Sequence, residues 1–313
     1  MSKKQTLVCV VKHLKLKNRG LRESMAEAMG TFILVVFITG SSMQLVLSRQ
    51  TTPLQAYIGG SIGVMLAFYM CGGVSGGCFN PAVSLAVCLT GRRPWTMFPW
   101  HVVGQMLGAF VAATVVYSVY TDALDRYDGG NRVLLGVNGT AGIFTSFPQE
   151  YLSTSQAFGD SALATGLLIV CALSVVDKRN MNAPAWFYPI CIGLTVLAIV
   201  CGFGLNAGAT INPAKDLAPR LFILIAGWGK EAFSFRGYNW FWIPVVAPLV
   251  GTVLATFIYW LFIEHHWPEE ESVGVTSDTK ELRFAEKCEP SAIELTSVTP
   301  EVGIINSSFV TEK

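Results

Sequence analysis

Apolar positions along this chain fall in long unbroken blocks rather than in alternation. The first block runs from Ser24 to about Leu47, and others cover Tyr57 to Gly73, Met97 to Tyr120, Phe158 to Val176, Trp186 to Leu205 and Trp240 to Ile263. Each approaches the ~20 residues that a helix needs to cross ~30 Å of hydrocarbon. Six membrane-crossing helices are therefore expected. Two further apolar pieces, Asn80 to Leu89 and one that begins at Asn212, are too short to cross.

Those short pieces share a beginning. Asn80-Pro81-Ala82 and Asn212-Pro213-Ala214 lie 132 residues apart, each after a Gly-rich approach and each following the second block of a three-block half. Asn is a helix N-cap and Pro suits the first helical position, where the missing N–H costs nothing. Two three-helix halves have opposite orientations, so the short helices enter the membrane from opposite faces. A helix that ends inside a membrane is tolerated only where its broken backbone is buried in protein or lines a watery cavity. The expected fold is an all-α membrane protein with six transmembrane helices plus two re-entrant half-helices in two inverted three-helix repeats. Its parts are an N-terminal tail (1–22), a channel domain (23–266) and a polar, acid-rich tail expected to be disordered (267–313). Within the channel domain, repeat one covers 23–120, a loop 121–156 and repeat two 157–266.

Composition agrees with this pattern: 52% of the chain is hydrophobic and 14% charged, too little polar surface for a soluble protein. Charge then sets an orientation. The basic N-terminal tail, Arg92-Arg93 and Lys178-Arg179 fall on one side of a six-helix topology, which the positive-inside rule makes cytoplasmic together with both termini. The sequon Asn138-Gly-Thr lands outside, where it is a glycosylation candidate, whereas Asn306-Ser-Ser falls inside. The near balance of basic and acidic residues gives no support for nucleic-acid binding. Cysteines lack paired metal spacing, and His13, His101, His265 and His266 are neither clustered nor spaced for ligation, so neither an enzyme, a cofactor nor a metal is expected.

These motifs resemble the major intrinsic protein (aquaporin) family, over roughly Glu23 to His266. Asp216 after the second motif, Arg220, Tyr120 and Pro244-Val245 resemble its glycerol-conducting branch, the aquaglyceroporins. The resemblance implies the aquaporin fold, a plasma-membrane homotetramer with one pore per subunit, and passive conduction of water, glycerol and urea without ions. It implies that Asn80 and Asn212 donate to permeants at the midplane and that Gly60, Val200, Ala209 and Lys215 form an outer selectivity filter. Small groups at Gly60 and Ala209 imply a wide opening.

Two residues depart from the family pattern. Lys215 stands where an Arg is usual, keeping the charge but losing the planar fork that fixes a polyol. Altered or reduced glycerol conductance is the resulting alternative, unless Lys215 turns away into a loop salt bridge with Asp216 or a neighbour. Cys78 stands at the cytoplasmic mouth where a His is frequent, which weakens any acid gate; its thiol, like that of Cys201, is either reachable by mercurials or buried and inert. Glu27 is expected to hold the first half-helix loop by accepting backbone N–H groups. Its counterpart falls at Ser161, beside Asp160, and which of these holds the second loop is open. Asp216 and Arg220 are expected to brace that loop. A coupled secondary transporter is the rival class, with Glu27 and Asp160 as the available carboxylates.

Overall fold

The computed structural model describes residues 15–48 and 50–268. Nine α-helices follow one another among these residues: α1 (Arg19–Ser48), α2 (Pro53–Ser75), α3 (Pro81–Leu89), α4 (Phe98–Asp128), α5 (Thr154–Val176), α6 (Tyr188–Ala207), α7 (Pro213–Ile225), α8 (Glu231–Ser234) and α9 (Ile243–Phe262). No strand occurs among them. Six helices, α1, α2, α4, α5, α6 and α9, are long and apolar enough to cross a membrane. The short α3 and α7 lie where the two Asn-Pro-Ala motifs place them. The expected tail at 267–313 and the sequon at Asn306 fall almost wholly outside the described residues, as does most of the tail at 1–22.

Several boundaries differ from the sequence expectation for local reasons. Helix α1 starts at Arg19 because the Asn18 side chain caps it, accepting from Leu21 N at 3.0 Å, and because Glu23 neutralises Arg19 one turn on. Helix α4 continues through Asp128, two turns into the stretch expected to be loop. Leu124 is fully buried there, and Arg132 reaches back to both Asp125 and Asp128. Gly129 and Gly130, at φ 70° and 80°, then end the helix in a left-handed conformation that other residues disfavour.

The helices pair in the same way in both halves: α1 lies along α2 and α4, and α5 lies along α6 and α9. Small residues allow this closeness, as is usual where lipid supplies no hydrophobic drive between helices. A Cβ on Gly108 of α4 would stand 2.0 Å from the Ala28 carbonyl oxygen of α1. In the other half, a Cβ on Gly251 of α9 would stand 2.1 Å from the Ala162 carbonyl oxygen of α5. Ala28 and Ala162 directly follow Glu27 and Ser161, so the repeat extends to its tightest contacts. Apolar side chains such as Leu66, Val103, Leu107, Leu163, Leu254 and Phe257 remain exposed around the outside, as a lipid-facing surface requires.

The connection between the halves is packed rather than loose. Phe144, Tyr117, Phe222 and Trp228 form edge-on aromatic contacts beneath it, and Arg132 lies over the Tyr117 and Trp228 rings at 5.3 and 5.7 Å.

Replacing Gly251 with Leu forces backbone against backbone. It is expected to cost at least about 1–3 kcal/mol, the usual range for overpacking. Thermal unfolding of the detergent-solubilised protein should show a lowered midpoint, whereas Gly142→Ala, in open space, should leave it unchanged.

Candidate pore

Each half-helix begins with its Asn in extended backbone, φ −158° at Asn80 and −137° at Asn212. The Asn80 side-chain oxygen accepts from Ala82 N at 2.9 Å. That of Asn212 accepts from Ala214 N at 3.0 Å and Lys215 N at 3.2 Å. The amide nitrogens reach across to the opposite half. Asn80 Nδ2 donates to Ile211 O at 2.8 Å, and Asn212 Nδ2 donates to Phe79 O at 2.9 Å. The two N-termini therefore meet and are tied by a reciprocal pair of bonds. One N–H of each amide is used, and one remains.

Different devices hold the two approaches. Glu27 Oε1 accepts from Cys78 N at 3.0 Å, and Oε2 accepts from Phe79 N at 2.6 Å and from Gln105 Nε2 at 2.7 Å. Phe79 sits at φ 52°, a strained value for a bulky residue. Its ring is clamped edge-on against Phe68 and lies where a Cβ on Gly30 would be. In the second half Ser161 Oγ donates to Thr210 O at 2.6 Å, so this loop is held by a carbonyl rather than by its N–H groups. Asp160 instead accepts from Asn206 Nδ2 at 3.1 Å. Neither Glu27 nor Asp160 faces the cavity described next.

Gly60, Val200, Ala209 and Lys215 come from α2, α6, the second approach and α7, and all line one cavity of about 230 Å³. The same cavity is lined by Cys78, Asn80 and Asn212. Apolar side chains, among them Val83, Leu168, Ile192 and Val196, make most of the remaining wall. The carbonyls of Gly76, Gly77, Cys78, Gly208 and Ala209 accept no hydrogen bond from any described residue. They are acceptors left for something else.

Lys215 is half-buried, and its ammonium forms no hydrogen bond or ion pair with a described residue. Pairing with Asp216 does not form, because that carboxylate is engaged elsewhere. Asp216 Oδ1 accepts from Arg220 Nε at 3.2 Å and Nη2 at 3.0 Å, and Oδ2 accepts from the Ser146 backbone N–H at 2.8 Å and from its hydroxyl. Arg220, fully buried, also donates to Ser146 O at 2.6 Å and Ala232 O at 2.8 Å and lies 4.8 Å from the Phe147 ring centre. Asp216 and Arg220 thus tie α7 to the connecting loop and α8.

Tyr120 stands apart, its hydroxyl accepting from Gln44 Nε2 at 2.8 Å. Pro244 is buried and Val245 half-buried at the start of α9, and neither lines the cavity. Asn138 is exposed, while Thr140 of its sequon is buried. Sequence reasoning missed Gly142, Thr145 and Ser146, which bring the connecting loop to the cavity wall. The apolar run Ile143-Phe144 and Phe147 around them was the available signal that this stretch is not simply a wet loop.

Six membrane-length helices around two half-helices that meet at one cavity define a channel-type membrane protein. The family described as Major intrinsic protein matches residues 14–259, and the chain belongs to that family. Human aquaporin-9 is 45% identical over 282 residues, covering 90% of this chain and 95% of the relative. Human aquaporin-10 is 42% identical over 262 residues, covering 83% and 87% respectively. Among solved structures, the aquaglyceroporin from Plasmodium falciparum superposes with a TM-score of 0.69 at 27% identity, covering 77% of this chain and 95% of its own.

Arg220→Met strands the buried Asp216 carboxylate and is expected to cost roughly 3–5 kcal/mol, the usual penalty for breaking a buried pair from one side. The double variant Arg220→Met with Asp216→Leu should recover much of that loss in thermal unfolding.

Proposed function

We propose that this protein is a passive channel for water, glycerol and other small neutral solutes such as urea, and that it excludes protons and ions. The observation that carries this reading is the reciprocal Asn80 and Asn212 pair, which leaves one donor N–H on each side of the passage. A water or alcohol oxygen that accepts from both turns its own hydrogens outward, toward the free carbonyls of the two approaches. It then cannot accept a proton from one neighbour and relay it to the next.

Charge acts in the same direction. Each half-helix presents the positive end of its dipole, about half a charge, to the meeting point. Lys215 adds a full charge at the cavity wall. A cation meets this potential while losing its water, a penalty of several kcal/mol even after relaxation. A neutral polyol loses little and regains hydrogen bonds. A coupled transporter finds less support, because neither Glu27 nor Asp160 lines the cavity, and the carboxylate of Asp216, which does, is held by Arg220 and Ser146.

The remaining parts of the reading rest on the family and on charge. The pore operates in a plasma-membrane homotetramer, with both termini cytoplasmic and Asn138 outside and open to glycosylation. Lys215 supports altered glycerol passage as the second reading: a free ammonium on a flexible stem fixes a polyol less well than a guanidinium fork.

In proteoliposomes followed by stopped-flow light scattering, the wild type should shrink osmotically and re-swell with glycerol. Lys215→Arg should raise the ratio of glycerol to water permeability, and identical ratios would remove Lys215 from the filter. Gly60→Trp, which puts a large side chain at a glycine lining the cavity, should reduce glycerol entry more than water flow.

A further inference from the structure

The passage leaves one cluster of chemistry unused, behind the first half-helix. Glu27 of α1, Cys78 of the first approach and His101 of α4 are all buried, and one oxygen, sulfur and nitrogen from them lie within 4.8 Å of one another. The sequence had shown His101 as an isolated histidine; the packing of α4 on α1 brings it to the other two. We propose that Glu27, Cys78 and His101 form a regulatory binding site for a zinc-class divalent cation, reached from the cavity through Cys78 and closing the pore when filled.

The ligand set suits such an ion, since thiolate, imidazole and carboxylate are the donors zinc takes. Two negative charges, from Glu27 and a Cys78 thiolate, match a divalent cation. Binding breaks the Cys78 S–H bond, forms a sulfur–metal bond and releases the proton to water in the cavity. Ideal bond lengths of ~2.3 Å to sulfur and ~2.0 Å to nitrogen or oxygen put tetrahedral ligand atoms ~3.5 Å apart. Side-chain rotations of about an ångström therefore close the site.

Each ligand is prepared for this role. His101 Nε2 lies 3.1 Å from Glu23 Oε2, and because a carboxylate only accepts, the neutral ring carries its proton there. Nδ1 keeps its lone pair, and its polar neighbour Ser84 Oγ stands at 3.5 Å, the limit of a hydrogen bond. A carboxylate behind an imidazole is how metal-ligating histidines are usually oriented. Glu23 is itself held by Arg19 and Arg93, each at 2.7 Å. Glu27 is in no ion pair with a described residue, and among these residues its Oε1 accepts from Cys78 N alone, which leaves a lone pair free. Gln105 supplies an independent sign of an unfilled place. Its nitrogen bridges Glu27 and Ser84, while its oxygen is buried with no partner among the described residues, an acceptor suited to a metal-bound water.

Access and effect follow from position. Cys78 lines the cavity two residues before Asn80, so an ion need not pass the paired Asn residues from that mouth. Once bound, it draws on the carboxylate that holds Cys78 N and Phe79 N and places positive charge beside the passage.

Titrating the purified full-length chain in detergent with Co²⁺ should produce the near-ultraviolet absorption of thiolate bound to cobalt, displaced by Zn²⁺. The band should disappear in Cys78→Ser, weaken in affinity by at least about tenfold in His101→Phe, and persist in Cys201→Ser, which alters an exposed thiol. This arm needs no transport, so it stands or falls independently of the channel reading. In vesicles exposed to Zn²⁺ on both sides, wild-type water flow should fall severalfold and recover with chelator, while Cys78→Ser should keep the same flow with and without the metal. A cobalt band of equal strength in Cys78→Ser, or equal zinc inhibition of that variant, overturns the proposal. Cys78→Ser is nearly isosteric and so carries the test even where His101→Phe fails to fold.

Discussion

A backbone that stops being helical inside hydrocarbon must find partners for its N–H and C=O groups, and this molecule is arranged around meeting that demand twice. The polar groups closest to the break are satisfied by protein: Glu27 takes two N–H groups, Ser161 takes a carbonyl, and the two Asn residues exchange bonds with Phe79 and Ile211. The carbonyls of Cys78, Gly208 and Ala209, which take no hydrogen bond from a described residue, belong to residues that line one cavity. The passage is thus the complement of the structural solution, since the carbonyls and amide hydrogens offered to a permeant are those the fold does not use.

The halves reach this end by different chemistry. A carboxylate holds the first approach from its N–H side, and the cluster of Glu23, Arg93 and His101 lies behind it. The second approach is held by a hydroxyl at one carbonyl, and its rigidity comes from Asp216 and Arg220, which fasten α7 to the connecting loop. With Asp216 committed to that task, Lys215 is a cavity-lining cation left without a partner among the described residues. The two halves share helix order and tight Gly contacts, yet their polar supports are not interchangeable.

Much of this was legible in the sequence. Block length gave the six crossing helices, and the spacing of Asn80 and Asn212 gave the half-helices, because both are local patterns with strict length requirements. Gly60, Val200, Ala209 and Lys215 could be placed together through the family resemblance, and they line one cavity. What escaped was long-range. The extension of α4 to Asp128 depends on Arg132 folding back, and the entry of Thr145 and Ser146 depends on Asp216 and Arg220 drawing the loop inward. His101 looked solitary because its neighbours Glu23, Glu27 and Cys78 belong to other elements. Spacing along a chain does not report a meeting of three segments.

The exchange of bonds between Asn80 and Asn212 has a consequence for how this chain can vary. Each amide is set against a carbonyl at the residue before the other motif, so the two approaches act as struts cut to matched length. A single inserted or deleted residue between Gly76 and Asn80, or between Gly208 and Asn212, would put both bonds out of register at once. The number of residues in each approach is therefore fixed by a bond made in the opposite half.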